Sequence, residues 1–171
     1  MKRHFPILLI LSAALTGCGY HTVGAATHLP PGTRTLAVPV FSTRTNAYRT
    51  ETVMTNAVVR EFSTRTRLRV TPADSDADAT LHGSILSQTV APLTYNSQTQ
   101  QSSSFLITMV VSVTLTARDG RVLYRNDALS YREQYQSTQD LTGFIQESSP
   151  AVNRLARDFA QSLVSDMLES F

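Results

Sequence analysis

The sequence predicts an α+β fold: a two-layer sandwich with two amphipathic helices packed on one face of a mostly antiparallel four- to five-stranded sheet. Three observations predict it. Apolar residues switch between period two and a helical period in the order strand, helix, strand, three longer strands, helix. The clearest of the long strands runs straight into Asp119-Gly120, a favoured hairpin dipeptide because both positions tolerate positive φ. Each helical stretch carries a single apolar stripe, which needs a surface to cover it, while one face of the strands is rich in Ser and Thr and stays free.

The elements follow in order. The segment TRTLAVPVF, residues 33–41, is apolar at Leu36, Val38 and Val40 and reads as a strand with one buried face. Pro39 cannot donate to a ladder, so it marks an edge position or a bulge. From 49 to 63 the period changes, and Val53, Met54, Ala57, Val58 and Phe62 fall on one helical face, with Glu51, Arg60 and Glu61 away from it. A short strand over 68–71 closes at Pro72. Strand, helix and strand in succession suggest a crossover unit, right-handed if the strands are parallel. Longer strands are expected at about 79–92, 104–118 and 121–135. In the middle one, Ile107, Met109, Val111, Val113, Leu115 and Ala117 mark one face, and Thr108, Ser112, Thr114 and Thr116 the other. Ser149 reads as the N-cap of the last helix with Pro150 at its first position. Val152, Leu155, Ala156, Phe159, Leu163, Met167 and Phe171 supply its stripe.

What precedes the domain has the layout of an export signal. Lys2 and Arg3 give a positive start, residues 7–15 are apolar apart from Ser12, and small residues lead to Cys18, the only cysteine of 171 residues. The run is too short to span a hydrocarbon core of roughly 30 Å. Leu15-Thr16-Gly17-Cys18 matches the lipobox of bacterial lipoproteins, in which the cysteine is diacylated, becomes the new N-terminus and is acylated again. Several acyl chains on one residue anchor firmly, each buried CH₂ contributing roughly 0.8 kcal/mol. Gly19, rather than an aspartate, reads as an outer-membrane address. The expected organisation is a signal peptide over 1–17, a lipidated N-terminus and tether over 18–34 with Pro30, Pro31 and Gly32, and one α+β domain over 35–171.

Once the signal leaves, 13 arginines face 13 acidic residues and the mature chain is neutral. That balance removes the compositional case for nucleic-acid binding. No constellation for catalysis is visible. His21 and His28 lie in the tether, His82 lies in a strand, and none has a partner at metal-ligand spacing. The chain has no phosphate-binding glycine loop and no nucleophile elbow. Asp74-Ser75-Asp76-Ala77-Asp78 invites a calcium reading, but an EF-hand would want Gly at Ala79 and Glu at Ile85, so a solvated turn is the better account. No enzyme, metal or cofactor is expected.

Two features remain. Between residues 34 and 69 there are seven arginines and two acids. Arg65, Arg67 and Arg69 form either a solvated basic surface or a site for phosphate-bearing lipid, which the planar guanidinium suits. From residue 79 to residue 117 there is no Asp, Glu, Lys or Arg. Exposed β edges are commonly guarded by charge. An uncharged hairpin, with Tyr95, Asn96, Gln98 and Gln100 about its tip and Thr108 and Ser112 on its polar face, is either a docking surface or a sheet-centre hairpin with a polar tip.

At this point the chain resembles the lipopolysaccharide-assembly lipoproteins (LptE). The resemblance rests on Cys18-Gly19-Tyr20-His21 followed by Gly24, on the segment from Leu36 to Phe41, and on Ala77-Asp78-Ala79-Thr80-Leu81-His82-Gly83-Ser84-Ile85. The Asp119-Gly120 hairpin and Tyr135 ahead of the last helix follow in the same order. The chain departs from the pattern after Phe41, where many relatives carry an asparagine and this one reads Ser42-Thr43-Arg44-Thr45. The resemblance implies a non-enzymatic, lipid-anchored protein on the periplasmic side of the outer membrane. It implies a plug and assembly partner inside a large outer-membrane β-barrel (LptD-like) that binds lipopolysaccharide in transit. The other reading is an outer-membrane lipoprotein that activates a cell-wall synthase or serves a secretion pore.

Overall fold

The computed structural model describes residues 28–45, 49–72, 76–96, 101–136 and 141–168; side chains of 95–96, 101–103 and 141–149 are outside the description. Six strands and two helices follow in the order β1 (Thr35–Ala37), β2 (Ser42–Thr43), α1 (Thr50–Arg65), β3 (Arg69–Thr71), β4 (Ala79–Asn96), β5 (Gln101–Ala117), β6 (Val122–Gln136) and α2 (Leu141–Leu168). The sheet order is β3-β1-β4-β5-β6, and β2 pairs with β4 farther along.

The α+β class, the two helices on a sheet and the predominance of antiparallel pairing are as the sequence predicts; the strand count of four to five is not, and the first strands pair parallel. The result is a mixed sheet of six. β4, β5 and β6 form an antiparallel meander, while β1 runs parallel to both β3 and β4, and β2 parallel to β4. The reason lies in α1. A helical crossover returns the chain to the same end of the sheet, so the strand after it lies parallel to the strand before it.

Pro39 accounts for the second difference. The strand expected over 33–41 breaks after Ala37 and resumes as β2. The break shifts the side-chain phase: Leu36 and Val38 are buried, but Val40 is 63% exposed and Phe41, at 2%, takes the inward place. Phe41's freed backbone N–H donates to Thr55 Oγ1 on α1 at 2.9 Å, so the interruption leaves no orphan donor there. β1 is an interior strand, not an edge.

The β5–β6 hairpin turns at the predicted place through three residues rather than two. Gly120 N–H donates to the Ala117 carbonyl and Ala117 N–H to the Arg121 carbonyl, both at 2.9 Å. Only Gly120 takes positive φ, +84°. This is a type I turn closed by a left-handed glycine, the usual three-residue solution.

The last helix starts earlier than Ser149-Pro150 suggests. It begins at Leu141 and carries Pro150 in its interior. Proline there removes one hydrogen bond and crowds the preceding turn. Leu141, Phe144 and Ile145, at helical spacing, are the sequence signal for the extra turns.

One core joins the layers. Odd-numbered residues of β5 from Ile107 to Leu115, with Leu81 and Ile85 of β4, meet Met54, Val58 and Phe62 of α1 and Leu155, Phe159, Leu163 and Met167 of α2. Phe159 is its hub, edge-on to Phe41 at 6.2 Å and to Tyr131 at 5.3 Å. Leu29 also packs into this core, and His28 N–H donates to the Met167 carbonyl at 3.4 Å, so packing reaches back into the expected tether.

Candidate functional site: the open face of the sheet

The helices cover one face of the sheet. The other displays the even-numbered residues of the β4–β5 ladder, paired Thr80–Thr116, His82–Thr114 and Ser84–Ser112. Past a bulge at Leu86, Ser87–Val110 and Thr89–Thr108 continue the face. Thr is a β-branched strand former, and Ser and Thr hydroxyls can hydrogen-bond water on a face that the helices leave uncovered. Along the ladder, charge enters from the outer strand: Arg125 pairs across from Thr114 and Arg132 from Thr108. Arg125 is itself bound to Asp127 at 2.8 Å.

Two shallow depressions meet at His82. One, of about 210 Å³, is lined by Pro39, Val40, Ser84, Ser112 and Thr114. The other, of about 500 Å³, lies toward Thr80, Thr116, Asp76 and Arg118. His82 shares the first with the hydroxyls of Ser84, Ser112 and Thr114 and the second with those of Thr80 and Thr116. Among the described residues, no three His, Cys, Asp or Glu side chains gather as a metal site.

Gly83 sits behind this face. A Cβ there would lie 2.3 Å from the Phe41 ring, so only glycine lets the ring that follows the Pro39 break lie flat on β4. Asp78 fixes the same region at its lower end. Its Oδ2 accepts the backbone N–H groups of Arg34 (2.9 Å) and Thr35 (3.0 Å) and the Thr35 hydroxyl (2.9 Å). Arg118 approaches Oδ1 at 3.3 Å. Those backbone and hydroxyl donors, with Arg118 a smaller influence, hold its pKa down to about 2. The solvated acidic turn is therefore half right. Asp76 is exposed, residues 73–75 are outside the described residues, and Asp78 is a clamp joining β1 to β4.

The other sequence-predicted residues divide. Cys18, Gln98 and Gln100 lie outside the described residues, as do the side chains of Tyr95 and Asn96. Thr108 and Ser112 stand part-exposed on the open face. Arg65, Arg67 and Arg69 do not act as one group. Arg65 donates to Ser165 Oγ at 2.7 Å and lies 3.7 Å from Glu61, tying the two helices together. Arg67 and Arg69 are exposed beside the β3 edge. On the covered face, burial pushes the Tyr131 hydroxyl pKa up, as it does for Tyr124. Both belong to packing around α2.

A family profile described as lipopolysaccharide-assembly (LptE) matches residues 33–167. The chain belongs to this family. The LptE match spans every strand and both helices up to the last turn of α2. No curated protein matches the chain at a significant level. Solved structures share its fold at low identity. Lipoprotein B of Nitrosomonas europaea aligns with TM-score 0.57 and 13% identity, over 88% of this chain and 90% of that one. Rare lipoprotein B of Shewanella oneidensis gives 0.52 and 12%, over 77% and 92%. A lipoprotein of Caulobacter crescentus gives 0.51 and 14%, over 75% and 88%.

Proposed function

We propose that this LptE-family chain is a lipid-anchored, non-enzymatic protein of the outer membrane, held at Cys18 on the periplasmic side. Its job is to plug and help assemble a large β-barrel through which lipopolysaccharide passes. The observation that carries the reading is the open sheet face. Two long neighbouring strands present hydroxyl side chains without a single charge from residue 79 to residue 117. A surface enclosed by a barrel wall avoids unpaired charges, because each costs desolvation that no partner offsets. A surface facing only water has no such constraint.

The anchor geometry supports the same reading. With Leu29 packed in the core, about ten residues separate Cys18 from the domain. Fully extended they reach roughly 35 Å. That keeps the domain near the membrane and disfavours an activator that must reach far into the periplasm. Lipopolysaccharide contact falls to Arg67 and Arg69, whose guanidiniums are exposed, more than to Arg65, which is held by Ser165.

Extraction in mild detergent and co-purification tests the proposal. Recovery of a large β-barrel with the lipidated chain is the expected result; its absence, with the chain folded, sinks the barrel role. For the lipid, Arg67→Glu with Arg69→Glu is expected to weaken lipopolysaccharide binding without loss of fold. Unchanged binding assigns both arginines to the solvated surface.

A further inference from the structure

The outer surface of the helix layer carries a feature that the sheet face does not explain. α1 and α2 lie side by side and run the same way, Arg65 near the end of one meeting Ser165 near the end of the other. Between them runs a groove of about 250 Å³, lined from Val53 to Thr64 on α1 and from Asn153 to Gln161 on α2. At 1.5 Å per residue, these spans make a trough on the order of 12–16 Å long. Its floor is small, with Ala57, Ala156 and Ala160. Arg60 and Arg157 line it from the two sides.

These two arginines differ from the others on the helices. Arg65 has Glu61 and Arg154 has Glu133. Arg60 and Arg157 are exposed and take part in none of the ion pairs among the described residues. Neither has an acid three or four residues away on its own helix: the neighbours are Asn56, Ala57, Ser63 and Thr64 for one, Asn153, Arg154, Ala160 and Gln161 for the other. The one carboxylate lining the trough, Glu61, is beside Arg65. Arg60 and Arg157 thus line a small-residue trough from its two sides without an ion pair among the described residues, an arrangement that favours an anionic occupant.

We propose that this interhelical groove binds an acidic, extended peptide segment of a protein partner, with carboxylates forked by Arg60 and Arg157 and the chain lying over the alanine floor. A trough two to three helical turns long suits a run of residues better than a single compact anion. The site lies on the helix layer, away from the sheet face, and does not depend on the partner being a barrel.

The test uses the purified full-length lipidated chain in detergent, without any barrel. The probe is a short fluorescein-labelled peptide of alternating Asp and Ala, followed by fluorescence anisotropy at low salt. Arg60→Glu with Arg157→Glu is expected to weaken binding by about tenfold or more, the effect of losing one charge-assisted hydrogen bond. Arg121→Glu, at the β5–β6 turn, is expected to leave binding unchanged, and the peptide with Asn for Asp to bind far less. If the double reversal perturbs the far-ultraviolet circular dichroism, Arg60→Gln with Arg157→Gln replaces it. No binding by the acidic peptide, or equal loss in Arg121→Glu, overturns the proposal. Inorganic phosphate or anionic-lipid vesicles binding through these arginines while the peptide does not would also overturn it, in favour of a phosphate site.

Discussion

The two faces of the β4–β5 ladder are made by the same strands and differ at every alternate residue. On the covered face Leu81, Ile85, Met109, Val111 and Val113 are fully buried under the helices. On the open face His82, Ser84, Ser112 and Thr114 meet solvent to varying degrees. The covered face holds the molecule together, and its residues are replaceable only by others of the same volume. The open face contributes little to that, so its uniform lack of charge calls for an explanation outside the fold. The proposed barrel partner supplies one.

The largest break of this contrast is expected at the hub of the covered side. Phe159→Ala removes a fully buried ring that touches Phe41 and Tyr131 edge-on and leaves a cavity beneath the sheet. A loss of about 3–5 kcal/mol is expected, read by urea denaturation with the slope unchanged.

Gly83→Ala comes next, because it forces the two layers apart at one point. The new methyl would meet the Phe41 ring at 2.3 Å, and overpacking of this kind costs roughly 1–3 kcal/mol. Phe41→Leu in the same chain is expected to recover part of the loss, so the two changes are non-additive. Additive losses would mean that Gly83 is needed for some other reason.

How much of this contrast the sequence carries depends on where regular periodicity meets a local rule. The inward residues of β5, the stripes of both helices and the hairpin at Asp119-Gly120 are legible because a period of two or 3.6 is sustained over many residues. Val40 and Phe41 are misplaced by periodicity, because the break at Pro39 shifts the phase by one and no pattern crosses a break. The start of α2 is missed because a strong N-terminal signal, Ser149-Pro150, outweighs the weaker spacing of Leu141, Phe144 and Ile145. The parallel pairing of β1 depends on which strands become neighbours, which a single strand's pattern does not contain. Of the candidate site, the charge-free polar face is read directly. Asp78 is missed because a carboxylate that accepts backbone N–H groups across 43 positions looks, in sequence, like any acid in a turn. The Arg60–Arg157 groove is missed for the same reason: the two residues are 97 apart and meet only when the helices pack side by side.

Asp78→Asn is expected to have a smaller effect than either core change, and a pH-dependent one. The folded-state pKa is about 2, below the ordinary value of 3.8. A depressed carboxylate contributes stability that is present above about pH 4 and lost as pH falls toward 2. Wild type should therefore exceed Asp78→Asn in thermal midpoint at pH 7, with the gap closing between about pH 4 and pH 2. A gap that persists unchanged at pH 2 would mean that the side chain acts by its shape and not by its charge.

The smallest stability effect, and the sharpest functional one, is expected on the open face itself. Thr108→Glu with Ser112→Glu places two carboxylates on β5 where no charge stands, at positions that are part-exposed in the free chain. In water the cost should stay within about 1 kcal/mol, the span of strand propensities on a solvated face. Enclosed by a partner, the same carboxylates would be stripped of water with no cation on β4 or β5 to meet them, and Arg132, across from Thr108 on β6, reaches only one. A chain that keeps its denaturation midpoint and loses its barrel in co-purification would separate the two faces cleanly. If the midpoint falls as far as for Phe159→Ala, the open face is part of what holds the fold together, and its lack of charge needs no partner to explain it.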